Sequence, residues 1–195
     1  MAIGDPYIEL QVLKSYLKIE DDEDDEELTD ALAAASRGVT DFCKRQFNKE
    51  TVASPRLYRP TGSGLVMVDD FHTTTGLVVQ SDDLTTTWTA TDYQLEPLNG
   101  VRNGEPGWPF WKIRADGSLS FTSWGTVQVT AQWGWAAIPA PVTQACKILA
   151  AENFKLKDAP FGVAGFDGFG AVRVRDNPMA KAKLVPYRRN AVLVA

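Results

Sequence analysis

Asp69, Asp70 and His72 fall together in the stretch DDFHTTTG, with Thr73, Thr74 and Thr75 directly behind them. A carboxylate, an imidazole and a hydroxyl are the parts of an acid–base relay. The carboxylate orients the histidine, and the histidine takes the proton of the attacking oxygen. The same carboxylates and imidazole are also metal-ligand types. Neither chemistry has the context it needs. His72 is the only histidine, no nucleophile turn leads from a strand into a helix, and ligands this close in sequence cannot surround an ion unaided. A histidine in a turn is the plainer reading. We therefore expect no catalytic residue, no cofactor and no metal.

Three other stretches invite chemistry and do not sustain it. The acidic run from Asp21 to Glu27 lacks the alternating ligands and central glycine of a calcium loop, and reads as the solvated start of a helix. Gly162, Gly165, Gly168 and Gly170 suggest a phosphate cradle, but such a loop follows a strand and opens a helix. Here the order is helix, glycines, strand, which suits a hinge. Trp88, Trp108, Trp111 and Trp124 could form a sugar platform, or could simply fill a core. No pair of carboxylates stands out for glycoside hydrolysis.

The chain has 195 residues, 44% of them hydrophobic, and a formal net charge of -5. A chain of this length buries roughly 70% of its unfolded surface, enough for a real core. No basic stripe tracks a nucleic-acid backbone. The first residues show no basic leader with an apolar run, and no stretch approaches the roughly 18 apolar residues of a spanning helix. A soluble protein without a membrane partner is expected. Cys43 and Cys146 give neither a disulfide framework nor metal spacing, and read as small buried hydrophobes.

The elements that must position these residues divide into helical and β stretches. Residues 5 to 18 carry Ile8, Val12, Leu13, Tyr16 and Leu17 at helical spacing, with Asp5 and Pro6 as a cap and first-turn pair. Leu28, Leu32, Ala35, Val39 and Phe42 form one apolar stripe on a second, longer helix. Its acidic start and the following Lys44 and Arg45 suit the helix dipole, and its alanines, Ala31 and Ala34 among them, allow close approach of another helix. From residue 50 to 132 the pattern becomes that of short strands and turns. TVQVTAQW alternates strictly, as a half-buried antiparallel strand does.

A third helix follows in PVTQACKILAAENFKLK. Val142, Cys146, Leu149, Asn153 and Leu156 make one face, and Ile148, Ala151 and Phe154 a second apolar face. A helix apolar on two sides is buried on two sides, with either another subunit or the β lobe as the second cover. Between strand and helix, WGWAAIPAP reads as a rigid elbow. Gly134 frees the backbone, Trp133 and Trp135 anchor it, and Pro139 and Pro141 lack amide protons that a helix start leaves unpaired anyway. The tail from residue 158 reads as a glycine-rich loop, a short strand at AVRVR and a basic end.

The expected fold is thus α+β. A small helical bundle of three main helices (1–49 and 136–157) carries an antiparallel β lobe between its second and third helices (50–135). An extended C-terminal arm covers 158–195.

YIELQVLKSYLKI, the acidic break, DDEELTDALAAASRGVTDFCKRQF and, above all, VQVTAQWGWAAIPAPVTQACKILAAENFKLKDAPFGVAGF resemble the gp6-like head-tail connector proteins of tailed bacteriophages. Leu57, Tyr58 and Arg59, the VDD stretch and DYQLEP add to the resemblance, which spans nearly the whole chain.

The resemblance implies a structural adaptor of the virion neck rather than an enzyme. Such an adaptor forms a homo-oligomeric ring, expected to number twelve copies, beneath the portal protein. It extends the DNA channel and docks a downstream stopper or tail-completion protein. DNA passes through without sequence-specific binding. By the same analogy the arm reaches the portal, with Phe161, Phe166, Phe169, Arg173, Arg175, Tyr187, Arg188 and Arg189 as contacts. A ring subunit needs heterologous contacts on two sides, and Ile148, Ala151, Phe154, Ala31 and Ala34 are the candidate interface residues. Two alternatives stand beside this one: a β module that binds a glycan or a host surface, and a hydrolase using Asp70 and His72.

Overall fold

The computed structural model describes residues 2–81, 86–116, 119–122, 125–156, 164–166, 169–172 and 177–189, with backbone alone for 164–166 and 169–172. The chain divides into two compact units. A helical unit joins Ile3–Phe47 to the stretch from Ile138 onward, and a β unit runs Asn48–Ala137. Together they make an α+β protein with four α-helices among the described residues and a sheet whose pairings are all antiparallel.

In the helical unit, α1 is Leu10–Leu17 and α2 is Asp25–Cys43. The sequence predicts α1 from Asp5, but Glu9 is its N-cap and Asp5 and Pro6 lie before it. Tyr7 explains the delay. It is buried, its amide donates to Ser36 Oγ at 3.0 Å, and its hydroxyl donates to Gln46 Oε1 at 2.9 Å. These bonds hold residues 5–8 against α2 in a bent, non-helical path. Of the α2 stripe, Leu28, Leu32, Ala35 and Val39 are buried and Phe42 is half-buried, while Ala31 and Cys43 are buried beside them. Asp25, Glu26 and Glu27 fill its first turn, where the helix dipole favours negative charge.

The acidic run also has a structural task. Lys14, 4% exposed, donates from Nζ to Asp22 at 2.5 Å and to Asp25 at 2.7 Å. A buried ammonium needs such partners, and these two tie α1 to the start of α2.

α3 spans Ala140–Lys155, with Pro139 as N-cap and Pro141 in the first turn. It buries Val142, Ala145, Cys146, Ala150 and Ala151. α4 spans Pro178–Leu184 and departs from the extended arm that the sequence predicts. Asn177 caps it, accepting the Ala180 amide at 2.8 Å, and Pro178 opens it. Ala180 and Leu184 give it an apolar side to bury. A 3-10 turn, Val185–Tyr187, follows. The AVRVR strand is also shifted. The backbone forms a short antiparallel pair, Ala164–Phe166 with Phe169–Val172, and Arg173 and Arg175 lie outside the described residues.

The β unit contains β1 (Ser54–Tyr58), β2 (Leu65–Gln80), β3 (Thr87–Trp88), β4 (Tyr93–Glu96), β5 (Val101–Arg102), β6 (Glu105–Pro106), β7 (Phe110–Ala115) and β8 (Val127–Trp133). The main sheet has the order β1-β8-β2-β7-β4, with β3 on β2. β5 and β6 form a separate hairpin. β2 runs through what the sequence suggests are two strands and a turn. Its first half pairs with β7 and its second with β8, with register shifts between Phe71 and Val78. Those shifts let one long strand serve two neighbours.

β8 alternates as expected, with Val127, Val129, Ala131 and Trp133 buried and the residues between them half-buried. They meet Val66, Val68, Phe71, Val79, Trp88, Ile113 and Phe121 in one core. Trp133 lies at its centre, 5.7 Å from the Tyr58 ring and 6.2 Å from Phe71. Truncating a buried aromatic of this kind costs about 3–5 kcal/mol.

Candidate functional site

The residues that could have formed a relay are separated by their strand. Asp69 and Asp70 are successive residues of β2, and successive side chains leave opposite faces. Asp69 accepts from Arg56 Nη1 at 2.8 Å and from the Tyr58 hydroxyl at 3.0 Å. Asp70 is buried and accepts the Trp135 indole N–H at 3.0 Å. His72 lies within β2 at a register shift, not in the turn that the sequence suggests. Burial, and next the nearby Lys49, push its pKa below the usual histidine value. Its Nδ1 is buried with no hydrogen-bond partner among the described residues. Asp70 is occupied by an indole, and His72 meets no hydroxyl nucleophile in the described hydrogen bonds.

Among the described residues no group of three or more His, Cys, Asp or Glu side chains is placed to hold a metal ion. Both cysteines are buried thiols. Burial pushes the pKa of Cys43 up to about 12, against the lowering effect of Arg45 and Arg188. Burial raises Cys146 too, with Ser36 opposing. No described helix is long and apolar enough to cross a membrane.

The tryptophans do not make an open platform. Trp108 and Trp135 are 7% and 3% exposed, with ring centres 5.0 Å apart. The Arg102 guanidinium lies 4.7 Å from the Trp108 ring centre and 5.6 Å from that of Trp111, a cation–π stack that covers the faces a sugar would need. Trp88 stacks on Phe121 within the sheet core, 4.5 Å between centres. Trp124 lies outside the described residues.

Surfaces, rather than clefts with chemistry, are what the helical unit offers. Tyr16 and Val12 are exposed on α1, at 53% and 40%. Beside them, Tyr16, Leu17, Ile148 and Ala151 line a hollow of about 480 Å³ that Lys18, Glu152 and Lys155 complete. Of the residues chosen from sequence as subunit contacts, Ile148 and Phe154 are half-buried and Ala34 is exposed, whereas Ala31 and Ala151 are buried within the unit. Ile148 and Ala151 share this hollow. Ala34 belongs to a second one, bounded by α2, α3 and α4, with Gly38, Phe42, Leu149 and Ala180.

Of the residues chosen as portal contacts, three have described side chains, and all three lie at the C-terminal end of α2. The Tyr187 ring meets Phe47 edge-on at 6.1 Å. The Arg188 guanidinium lies 5.6 Å from the centre of the Phe42 ring. The Arg189 amide donates to the Cys43 carbonyl at 2.8 Å. Phe161, Arg173 and Arg175 fall outside the described residues, and Phe166 and Phe169 have described backbone only. The sequence reading missed α4 and the hollow it borders. Asn177 followed by Pro178 is a legible cap and first turn, and Gly38 in mid-helix marks a wall without side-chain filling.

Fold and surfaces together define an α+β chain with four described helices, an antiparallel sheet and exposed apolar residues on α1. No protein-family model matches the sequence, and no curated protein matches it. Solved structures do match in fold. A chain of the neck of the empty GTA particle, computed with C6 symmetry, superposes with a TM-score of 0.60 at 17% identity, over 97% of this chain and 93% of that chain. A chain of the virion of the native gene transfer agent (GTA) particle gives 0.58 at 18% identity, over 100% and 96%. A chain of the neck of the native GTA particle, computed with C12 symmetry, gives 0.53 at 18% identity, over 100% and 99%. The fold of this chain is therefore one found in the necks of phage-like particles, and the correspondence runs through both units.

Proposed function

We propose that this chain is a structural component of the neck of a tailed-phage-like particle. It acts there as an adaptor ring between the portal protein and a downstream stopper or tail-completion protein. The observation that carries this reading is the end-to-end fold match with neck chains in particles computed with C6 and C12 symmetry. A ring of twelve copies fits both symmetries.

Physical features of the chain support the role. Ring closure needs two different faces on each subunit. The Tyr16–Ile148 hollow supplies one, with Phe154 and Ala34 as further contacts. The glycine- and phenylalanine-rich stretch with Phe161, Phe166, Phe169, Arg173 and Arg175 has the composition of a segment that seats aromatic anchors and cations in a partner's pockets, and the portal is the partner assigned to it. A net charge of -5 favours passage of DNA, because binding requires cations that neutralise phosphates. No catalytic step is assigned.

The test is to mix purified protein with portal rings and image the product by electron cryomicroscopy. The expected result is an added ring of density on one face of the portal. Absence of that ring across protein concentrations and salt conditions, together with absence of the chain from the neck of intact particles, would overturn the reading.

A further inference from the structure

α1 leaves a pair of apolar side chains without full cover. Tyr16 is 53% exposed, even with Lys147 Nζ 6.0 Å from its ring centre, and Val12 is 40% exposed. Four residues apart on a helix, they share one face, with Cβ atoms roughly 6 Å apart. On the other side of the helical unit, α2, α3 and α4 border an open hollow of about 500 Å³. Ala34, Gly38 and Phe42 line it along one face of α2, eight residues or about 12 Å from end to end. Leu149 and Leu184 add apolar walls. A Cβ added at Gly38 would meet nothing within 4 Å, so the middle of this wall is open. A cavity of about 150 Å³ takes a benzene ring, so this one has room for a tyrosine ring and an aliphatic neighbour.

Charge is complementary between the two sides. Lys181 is the charged residue among those lining the hollow. From Asn177 to Arg189 the chain has four cations and no carboxylate. From Glu9 to Glu27, around Tyr16, it has nine carboxylates against Lys14 and Lys18, and Lys14 is already engaged by Asp22 and Asp25. One copy cannot join its own two sides. On α3, Ile148, Ala151, Glu152 and Lys155 face the hollow beside Tyr16, whereas Leu149 and Asn153 face the hollow beside α4. At 3.6 residues per turn the two sets lie roughly 130° apart round the helix.

We infer that Tyr16 and Val12 of one copy seat in the hollow between α2, α3 and α4 of the next copy, with Tyr16 against Gly38 and the acidic stretch after α1 beside Lys181. The contact is head to tail, because the two surfaces differ. It rests on the ring reading, which asks each subunit for two different faces, and the two fail separately.

The experiment uses the full chain, both concentrated alone and mixed with portal rings. Val12→Cys protein is mixed with Gly38→Cys protein and treated with a short bismaleimide. Cys43 and Cys146 are buried thiols and stay out of the reaction. A dimer joined 12 to 38, identified by peptide mapping, is expected in at least one of the two conditions. Absence of that link from both overturns the inference, and so does a 12–12 or 38–38 link in its place, or a link from 38 to the portal.

A second arm changes the seated group. Tyr16→Ala in the Val12→Cys chain is expected to lower the yield of the 12–38 link at least about tenfold, as loss of a buried aromatic anchor does, while Tyr16→Phe keeps it. Lys181→Glu in the Gly38→Cys chain, and added salt, are expected to lower it as well. Tyr16 and Lys181 are exposed in the single chain, so circular dichroism should stay unchanged. Equal yields with Tyr16 and with Tyr16→Ala overturn the inference. A portal-bound ring of the unmodified chain without any 12–38 link leaves the neck reading standing and removes this contact. A 12–38 link without a portal-bound ring does the reverse.

Discussion

The backbone carbonyl oxygen of Asn48 lies 1.7 Å from where a Cβ on Gly134 would stand. Gly134 also has φ +95, its amide donates to the Asp70 carbonyl at 2.6 Å, and the Trp135 amide donates to the Asn48 carbonyl at 3.3 Å. Two backbones cross here with no room for a side chain. Gly134→Ala is expected to destabilise the β unit by about 2–4 kcal/mol, combining overpacking with an unfavourable dihedral. Gly38→Ala, in open space within α2, is expected to stabilise by about 0.5–1 kcal/mol. Urea unfolding of the two variants checks both signs.

Lys14 sets a pH window. Its pKa is raised by its hydrogen bonds to Asp22 and then Asp25, and Asp22 is lowered by Lys14. The lowered carboxylate contributes stability above its unfolded value, near pH 4, and loses it as pH falls through the folded value. The raised ammonium contributes below its unfolded value, about 10.5, and loses it at higher pH. The difference in stability between wild type and Lys14→Met should therefore be largest near neutrality and shrink on acidification. Asp22 is mostly solvent-exposed, so added salt should shrink it too. Urea titrations at several pH values measure both effects.

His72 works in the opposite sense. Its folded pKa is depressed, first by burial and then by Lys49, so below about pH 6.5 the unfolded chain binds a proton that the folded chain resists. Its contribution is complete above that range and is lost as pH falls. His72→Gln is expected to flatten the stability profile between about pH 7.5 and about pH 5.5 relative to wild type. Identical slopes would show that this imidazole is not the titrating group.

Cys43, at about 12, and Cys146, raised by burial, carry almost no thiolate at neutral pH. Thiolate is the reactive form. Iodoacetamide at neutral pH should leave both unlabelled in the folded protein and label both in urea. Labelling of the folded protein within minutes would contradict the burial of both thiols.

Ring formation should respond differently to exposed and buried contacts. Tyr16→Glu with Ile148→Asp charges the hollow beside α1 and is expected to leave a folded monomer. Ala31, 7% exposed, is different: Ala31→Asp buries a charge and should unfold the helical unit itself. Light scattering and circular dichroism on the same samples separate the two outcomes.

Elements with a strong period were legible in the sequence. β8 alternates in burial residue by residue, and the α2 stripe from Leu28 to Val39 is buried as spaced. Local pattern failed where distant contacts decide. Tyr7 finds Ser36 and Gln46, and the start of α1 moves to Leu10. β2 passes through His72 without turning because β7 and β8 receive its two halves in succession. α4 is too short for periodicity to show, although Asn177 and Pro178 mark its start. Asp70 looked like chemistry and proves to be the acceptor for an indole, because sequence displays a carboxylate but not the group 65 residues away that claims it.

β2 hands its first half to β7 and its second to β8 without a break. A protease cut anywhere between Phe71 and Val78 would cost both neighbours their common seam at once. The β unit should accordingly melt in a single step, with no surviving half, and a peptide tag placed in that span would be far less welcome than one between β5 and β6.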